Sequence, residues 1–248
     1  MPMPLPESDY YLMNCPRDEF LNLLPTLQEK TRYYVANTTY RLAETEWIAR
    51  KLEEEVKRGA APVAHEGLLS LQIYLLLTCA DTLGHLYATG GVGDRFKSFF
   101  KNLPEEIQQN LLDDIIAWQA DRAELTRLGL IEQHTGAVIL PYRSQLVQFL
   151  QSLSLEQRFE TLVNFLYRRR NYYTHESRYP QLGHHPNLSV MQRQRLNISN
   201  TATLGELDRL QLIPDGDHLY FAYYETDDPI ATIRKSIVQG LGRAIGRV

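Results

Sequence analysis

The stretch Asn164-Phe-Leu-Tyr-Arg-Arg-Arg-Asn-Tyr-Tyr-Thr-His175 joins the apolar face of a predicted helix to a group of polar side chains. We expect the helix to begin at Ser154, because Gln157 follows at the spacing of a capping box. The next apolar residues recur at i, i+3, i+4 and i+7, which marks one face of a helix. They are Phe159, Leu162, Val163 and Leu166. The polar residues that follow therefore extend a helix that packs into a core.

Arg170 and Tyr173 come next on this apolar face. Arginine is rarely buried without a partner, so Arg170 should face an anion or a carboxylate. Its planar guanidinium suits phosphate, and His175 has a side-chain pKa near neutrality, as general acid–base catalysis requires. Asn171 lies four residues before His175, so its amide can orient the imidazole. These residues predict phosphate chemistry.

The helical spacing of Arg170 and His175 sets a geometric condition on this site. Five residues place them about 140° apart around an ideal helix. A shared site therefore requires that the helix ends near Tyr173, that the arginine reaches around the helix, or that a second chain completes the site. The competing interpretation is a solvated basic cluster of Arg168, Arg169 and Arg170, with His175 as a surface residue.

The hexapeptide Arg170-Asn171-Tyr172-Tyr173-Thr174-His175 resembles the Arg-polar-x3-His form of the Arg-x(4–6)-His motif of the HEPN superfamily. Members are all-helical proteins, and many are metal-independent endoribonucleases. The resemblance implies a HEPN-like helical bundle over roughly residues 30–180. It implies that Arg170 and His175 are the catalytic pair and that Asn171 is the polar helper. It also implies a homodimer with the site at the interface.

The implied reaction is RNA cleavage by attack of the 2′-hydroxyl, without a metal or another cofactor. Such enzymes often act as toxins or in defence, so an antitoxin or another regulatory protein is an expected partner. One branch of the superfamily has a tyrosine two residues after the histidine, which a partner enzyme modifies. Here that residue is Ser177, which argues against this regulation. We expect Arg169, Tyr172 and Tyr173 to support the site, since tyrosines can stack on bases, although Tyr173 also fits a core position.

A polar stripe interrupts the most apolar stretch, residues 67–87, which predicts a central helix. Its members recur at helical spacing and are Thr78, Asp81, Thr82 and His85. Buried polar groups need partners. The stripe is therefore either a structural hydrogen-bond seam or a support for the site, in which Asp81 pairs with Arg170. A pair of Asp81 with His85 is a second acid–base candidate, and two such ligands are too few for a metal site.

The composition is that of an ordinary globular protein, with 44% hydrophobic and 23% charged residues. The net charge of -4 gives no overall attraction to nucleic acid, so RNA must bind at a local basic patch. Two cysteines, Cys15 and Cys79, provide no disulfide framework and predict a reducing, cytoplasmic environment. The first residues lack a signal-peptide pattern, and residues 67–87 are too interrupted for a membrane span.

The fold class predicted is mainly all-α, as one domain over 1–248 with a C-terminal extension from about 181. Further helices are expected at about 26–57 and 104–128, and a last one starting at Asp228-Pro229. Residues 210–213 and 218–224 predict a small β-hairpin. Two alternatives to a ribonuclease stay open. One is a non-catalytic HEPN-like module that binds RNA, nucleotide or a protein partner, and the other is a helical scaffold without a site.

Overall fold

The computed structural model describes residues 5–59, 62–127, 150–151, 153–176, 210–215, 218–226 and 228–247. The helices in these residues are α1 (Glu7–Leu12), α2 (Arg17–Leu23), α3 (Glu29–Lys57), α4 (Pro62–Gly84), α5 (Val92–Lys101), α6 (Glu105–Asp114), α7 (Arg122–Arg127), α8 (Leu155–Glu176) and α9 (Pro229–Ala244). A 3-10 turn, Leu24–Thr26, precedes α3. The strands are β1 (Ile115–Asp121), β2 (Leu210–Asp215) and β3 (His218–Tyr224). The described chain is mostly helical, as predicted.

Local capping signals define two of the helix starts. Ser154 and Gln157 form the expected capping box, in which the Ser154 backbone N–H donates to Gln157 Oε1 at 2.9 Å and the Gln157 N–H donates to Ser154 Oγ at 3.2 Å. Asp228 caps α9 by accepting from the Ala231 N–H at 2.9 Å, with Pro229 in the first turn. Both helix starts were predicted correctly because a cap lies within a few residues of the helix it begins.

The predicted helix over 104–128 is wrong at residues 115–121, which form β1, whereas Arg122–Arg127 is helical again as α7. Ile115, Ile116 and Trp118 are residue types that favour strands. β1 pairs antiparallel with β3, which places Trp118 opposite Phe221 with ring centroids 4.9 Å apart. The predicted hairpin of β2 and β3 is confirmed, and β3 is the central strand of a three-stranded sheet. The hairpin residues 216–217 lie outside the described part.

The chain divides into two compact units. The first unit comprises Met1–Leu111, Arg170–Tyr179 and Asp228–Val248. Within it α3 packs against α4, α4 packs against α5, and α9 packs against α4, α3 and α1. α9 thus belongs to the helical core, although it lies in the predicted C-terminal extension.

A buried ion pair connects the first and last helices of this unit. Arg234 on α9 donates to both carboxylate oxygens of Asp9, at 2.5 and 3.3 Å, and Asp9 is only 2% exposed. The same guanidinium donates to Thr45 Oγ1 at 2.6 Å and to the Leu42 carbonyl at 3.2 Å. These bonds hold α1, α3 and α9 together around one arginine.

The second unit comprises Leu112–Arg169 and Pro180–Asp227. It contains the three-stranded sheet and most of α8. The apolar face predicted for α8 is buried, and its members are Phe159, Leu162, Val163 and Leu166. Throughout the described residues, no helix combines the length and the apolar character that crossing a membrane requires.

Candidate functional site

The predicted contact between Asp81 and Arg170 is present in the first unit. Arg170 Nη2 on α8 lies 3.9 Å from Asp81 Oδ2 on α4, and the side chains are 14% and 15% exposed. Arg170 Nη1 also donates to Asn171 Oδ1 at 3.2 Å. A carboxylate and an amide therefore orient a guanidinium that keeps a small exposed fraction.

Arg95 is the closer partner of Asp81, and the sequence analysis missed it. Its Nε donates to Asp81 Oδ1 at 3.0 Å, and its Nη1 donates to the Gly90 carbonyl at 2.8 Å. The Arg95 side chain is 17% exposed. Asp81 therefore bonds Arg95 through one carboxylate oxygen and faces Arg170 with the other. Two arginines from different helices are held at one carboxylate.

Gly84 allows α5 to approach α4 closely enough for this contact. A Cβ atom at Gly84 would lie 2.1 Å from the Arg95 carbonyl oxygen and 2.5 Å from its carbonyl carbon. Both are backbone atoms, so a change of side-chain rotamer cannot relieve the overlap. Glycine is required where two backbones approach in this way. Gly84 follows Asp81 by three residues on α4.

The threonines of the polar stripe form a structural seam. Arg41 Nη1 on α3 donates to Thr82 Oγ1 at 2.8 Å and to the Thr78 carbonyl at 3.2 Å. The Thr82 hydroxyl also donates to the Thr78 carbonyl, and the Thr78 hydroxyl donates to the Leu75 carbonyl, both at 2.8 Å. The threonines therefore form the structural hydrogen-bond seam of the first alternative. Asp81 contacts two arginines, one of which is Arg170, as the second alternative expected.

His85 stacks against Tyr34 instead of pairing with Asp81. The two rings are parallel within 6°, with centroids 4.6 Å apart. Burial, followed by the charge of Arg95, lowers the pKa of His85 from its ordinary 6.5. The ring is therefore mostly neutral at pH 7 and can accept a proton. Within the described residues no hydrogen bond joins His85 to Asp81, so that acid–base pair is not formed.

An open groove of about 870 Å³ lies along the start of α3, and Tyr34 is one of its lining residues. Its lining residues are Leu24, Pro25, Glu29, Lys30, Arg32, Tyr33, Tyr34, Ala36 and Asn37. Lys30 and Arg32 are exposed cations. Ligand pockets for small molecules have volumes of about 300–1,000 Å³. The groove therefore has the volume of a small-molecule pocket, and its lining combines two tyrosines and two cations with the carboxylate of Glu29.

Arg169 lies in the core of the second unit. It is 3% exposed, and its Nη1 donates to Tyr224 Oη at 3.2 Å. Burial lowers the pKa of Arg169 and raises the pKa of Tyr224. The interpretation of the three arginines as a solvated cluster is therefore wrong for Arg169 and Arg170. The observed contact of Arg169 is with the Tyr224 hydroxyl in the core. Its expected supporting role at the site stays a prediction.

α8 continues without a break through Glu176, so the helix does not end near Tyr173. This removes one of the three ways in which Arg170 and His175 could share a site. A long arginine side chain or a second chain remains. The side chains of Tyr172, Tyr173 and His175 lie outside the described residues, as does Ser177.

No group of three or more potential metal ligands occurs in the part of the chain that the structure describes. A scan against family models, a search of curated proteins and a search of solved structures each returned no match. The resemblance to the HEPN superfamily therefore rests on the sequence motif of residues 170–175.

Proposed function

We propose that this protein is a metal-independent endoribonuclease of the HEPN type. The observation that carries the proposal is the position of Arg170. It continues the apolar face of α8, it lies beside Asp81 and Asn171, and its side chain keeps 14% of its surface exposed. His175 follows on the same unbroken helix. A guanidinium held by its neighbours and a histidine five residues later in the chain are the residue types that suit the cleavage of a phosphodiester.

In the proposed reaction His175 removes the proton of the RNA 2′-hydroxyl. The 2′-oxygen then bonds to the adjacent phosphorus, and the bond from phosphorus to the 5′-oxygen breaks. Arg170 stabilises the negative charge that develops on the phosphate oxygens. A protonated imidazole donates a proton to the leaving 5′-oxygen. The products are a 2′,3′-cyclic phosphate and a 5′-hydroxyl, and no metal or cofactor takes part.

We further propose that the active form is a homodimer. Arg170 and His175 occupy positions about 140° apart around α8, which is continuous over both residues. Two copies of the motif that face each other would bring the arginine of one chain near the histidine of the other. Asn171, which accepts a hydrogen bond from Arg170, would link the guanidinium to the imidazole.

The proposal is tested by cleavage of single-stranded RNA in the presence of a chelator. Arg170→Ala should lower kcat about 10²–10³-fold, the usual loss when one donor to a transition-state anion is removed. His175→Ala should lower it about 10²–10⁴-fold. Arg50→Ala is the matched control, because that side chain is 63% exposed on α3. A folded His175→Ala protein with undiminished cleavage, or cleavage that needs a divalent metal, contradicts the proposal.

Arg170→Lys separates a catalytic from a structural role of the guanidinium. Lysine keeps the positive charge opposite Asp81 but lacks the planar fork that binds a phosphate with two parallel bonds. If Arg170 contacts the phosphate, the lysine variant keeps most of its stability and loses cleavage. If Arg170 only neutralises Asp81, the variant cleaves RNA at the normal rate.

A toxin or defence role in the cytoplasm is part of the same proposal. Induced synthesis of the wild-type chain should stop growth of a bacterial host, and that of the His175→Ala chain should not. Growth arrest by both chains would separate toxicity from the proposed chemistry. A regulatory protein such as an antitoxin would then be sought by its ability to restore growth.

The second candidate function is a non-catalytic module that binds RNA or nucleotide. The groove beside Tyr34 favours it, because the lining combines exposed cations with two tyrosines. Fluorescence anisotropy with a short single-stranded RNA measures binding independently of cleavage. Binding that Lys30→Ala and Arg32→Ala weaken, together with intact RNA after long incubation, would favour the module over the enzyme.

A further inference from the structure

Asp81 is shared unequally between two arginines. Its Oδ1 accepts a hydrogen bond from Arg95 Nε at 3.0 Å, whereas its Oδ2 lies 3.9 Å from Arg170 Nη2. Hydrogen bonds between a nitrogen donor and an oxygen acceptor are about 2.7–3.2 Å long. All three side chains are largely buried. Arg95 is therefore bonded to Asp81, while Arg170 is only close to it.

A largely buried arginine and carboxylate normally close on each other. Their preferred contact has two parallel N–H···O bonds of about 2.7–2.9 Å, and the attraction between the charges grows as their separation falls. Arg234 and Asp9 show this arrangement elsewhere in the first unit, with bonds of 2.5 and 3.3 Å to the two carboxylate oxygens. The separation of 3.9 Å between Arg170 and Asp81 therefore needs a cause.

Arg95 provides that cause, because it holds Asp81 from a different helix. Its Nη1 donates to the Gly90 carbonyl at 2.8 Å, so the guanidinium is bonded at two points. Its backbone lies directly against α4, where a Cβ at Gly84 would be 2.1 Å from the Arg95 carbonyl oxygen. A movement of Asp81 toward Arg170 would therefore stretch the bond from Arg95, which cannot follow without breaking its bond to Gly90.

We propose that Arg95 is a positioning residue of the Arg170 site. By bonding Asp81, it keeps this carboxylate from closing on Arg170. Arg170 is then aligned by Asp81 at 3.9 Å, and an incoming phosphate has one long contact to displace instead of two short hydrogen bonds. The ligand is a phosphate group of a nucleic acid strand. This inference rests on the proposed function, which assigns phosphate binding to Arg170.

Loss of Arg95 should let Asp81 close on Arg170. Arg95→Met keeps the unbranched apolar part of the side chain and removes both of its hydrogen bonds. A largely buried carboxylate without a partner is costly, so Asp81 should turn to the remaining arginine. A crystal structure of the variant should show that the distance from Arg170 Nη2 to Asp81 Oδ2 has fallen from 3.9 Å to about 2.9 Å.

Binding of a nucleic acid that cannot be cleaved measures the effect on Arg170. The probe is a short single-stranded RNA with every 2′-oxygen methylated, which blocks attack on the phosphate, and its Kd is measured by fluorescence anisotropy. Arg95→Met should raise this Kd about 10–100-fold, the equivalent of one lost charged hydrogen bond. Arg50→Met is the matched control, because it removes the same charge from a side chain that is 63% exposed on α3. It should change the Kd less than about threefold, since salt screens exposed charges. Circular dichroism confirms that each variant is folded.

A double variant separates positioning from direct contact. An asparagine in place of Asp81 has no charge with which to retain Arg170, so the chain with both Arg95→Met and Asp81→Asn should bind the probe about tenfold more tightly than Arg95→Met alone. If Arg95 contacts the phosphate itself, or only supports the packing of α5, the double variant is as weak as the single one. Arg95→Lys keeps a cation beside Asp81, should lose less affinity than Arg95→Met, and replaces it in the comparison if the methionine variant does not fold.

Four results overturn the proposal. They are an Arg95→Met chain that binds the probe as tightly as the wild type, a contact between Arg170 and Asp81 that stays at 3.9 Å in that variant, a double variant no tighter than the single one, and a wild type that does not bind the probe. Cleavage of unmodified RNA by the wild type alongside any of them leaves the ribonuclease proposal standing. The expected Kd values without RNA cleavage refute the ribonuclease proposal and support Arg95 as a positioning residue.

Discussion

Gly84→Ser should separate α5 from α4 and weaken the Asp81 cluster. The new Cβ would lie 2.1 Å from the Arg95 carbonyl oxygen, whereas packed heavy atoms lie about 3.5 Å apart. The two helices must therefore move apart by about 1.4 Å at this point. The bond from Arg95 Nε to Asp81 Oδ1, now 3.0 Å, spans the same gap and would lengthen.

The expected loss follows from the overlap and from the bond. Overpacking of a close backbone contact costs about 1–3 kcal/mol of unfolding free energy. Loss of the charged hydrogen bond adds about 1.5–3 kcal/mol where it is largely buried, as here with side chains 15% and 17% exposed. We therefore expect Gly84→Ser to lower the free energy of unfolding by about 2.5–6 kcal/mol if the Arg95 bond is lost, and by about 1–3 kcal/mol if Arg95 keeps it.

Gly91→Ser provides a matched control at the other end of the same connection. A Cβ there would have Asp94 Oδ2 as its nearest neighbour, at 4.0 Å, so it meets no obstacle. Gly91 caps α5 with φ -64° and ψ 175°, a conformation that serine adopts readily, and serine is a preferred cap. This variant should be as stable as the wild type, within about 0.5 kcal/mol.

Urea denaturation followed by circular dichroism measures both variants against the wild type. The reasoning is refuted if Gly84→Ser and Gly91→Ser unfold at the same midpoint as the wild type. In that case α4 and α5 would not be in contact at Gly84, and the position of Arg95 beside Asp81 would need another cause.

Four further predictions concern buried groups and one helix cap. Asp9→Ala should lower the free energy of unfolding by about 3–5 kcal/mol, because it leaves Arg234 without its buried carboxylate, and exposed Glu53→Ala should not. Burial raises the pKa of Asp9 above its ordinary 3.8 although Arg234 opposes the shift, so ionisation of this carboxyl offsets part of what the ion pair contributes. The pH-dependent part of the stability is therefore fully present below pH 3.8 and falls as the pH rises through the raised pKa. Urea titrations at several pH values should show this dependence for the wild type and lose it in Asp9→Asn. Asp228→Ala should cost about 1 kcal/mol in the same assay, and no change would mean that the cap on α9 is unimportant. Burial raises the pKa of Cys79 to about 12 and also raises that of Cys15, so a disulfide reagent at pH 8 should label both thiols only after unfolding.

Helices were predicted from the sequence wherever their signals are local. The box of Ser154 and Gln157 and the Asp228-Pro229 start both lie within one turn of the helix that they begin. β1 was missed because its strand character depends on β3, and Ile115 pairs with Tyr224 far along the chain. Leu111 and Leu112 upstream keep helical spacing, so the change at Ile115 leaves little trace in the pattern.

The contact of Asp81 with Arg170 was predictable for a different reason. A buried arginine needs an anion, and the most apolar stretch, residues 67–87, carries one carboxylate, that of Asp81. Arg95 was not predictable in this way, since its place depends on the close approach that Gly84 allows. A glycine near the end of a helix is usually interpreted as a terminator, and its role in packing is not visible in the sequence.

The two consecutive arginines of α8 show why Arg170 is interpreted as functional. Arg169 is sealed in a core and donates to a tyrosine at 3.2 Å, which is how a structural arginine is expected to lie. Arg170 lies about 100° further around the same helix and faces a carboxylate that already bonds Arg95 at the shorter distance of 3.0 Å, against 3.9 Å for its own contact. A phosphate can therefore compete with Asp81 for Arg170 more easily than for Arg95. A fork-shaped cation that is positioned by its neighbours yet still accessible is what phosphate recognition requires, so the lysine variant at this position decides between the two interpretations.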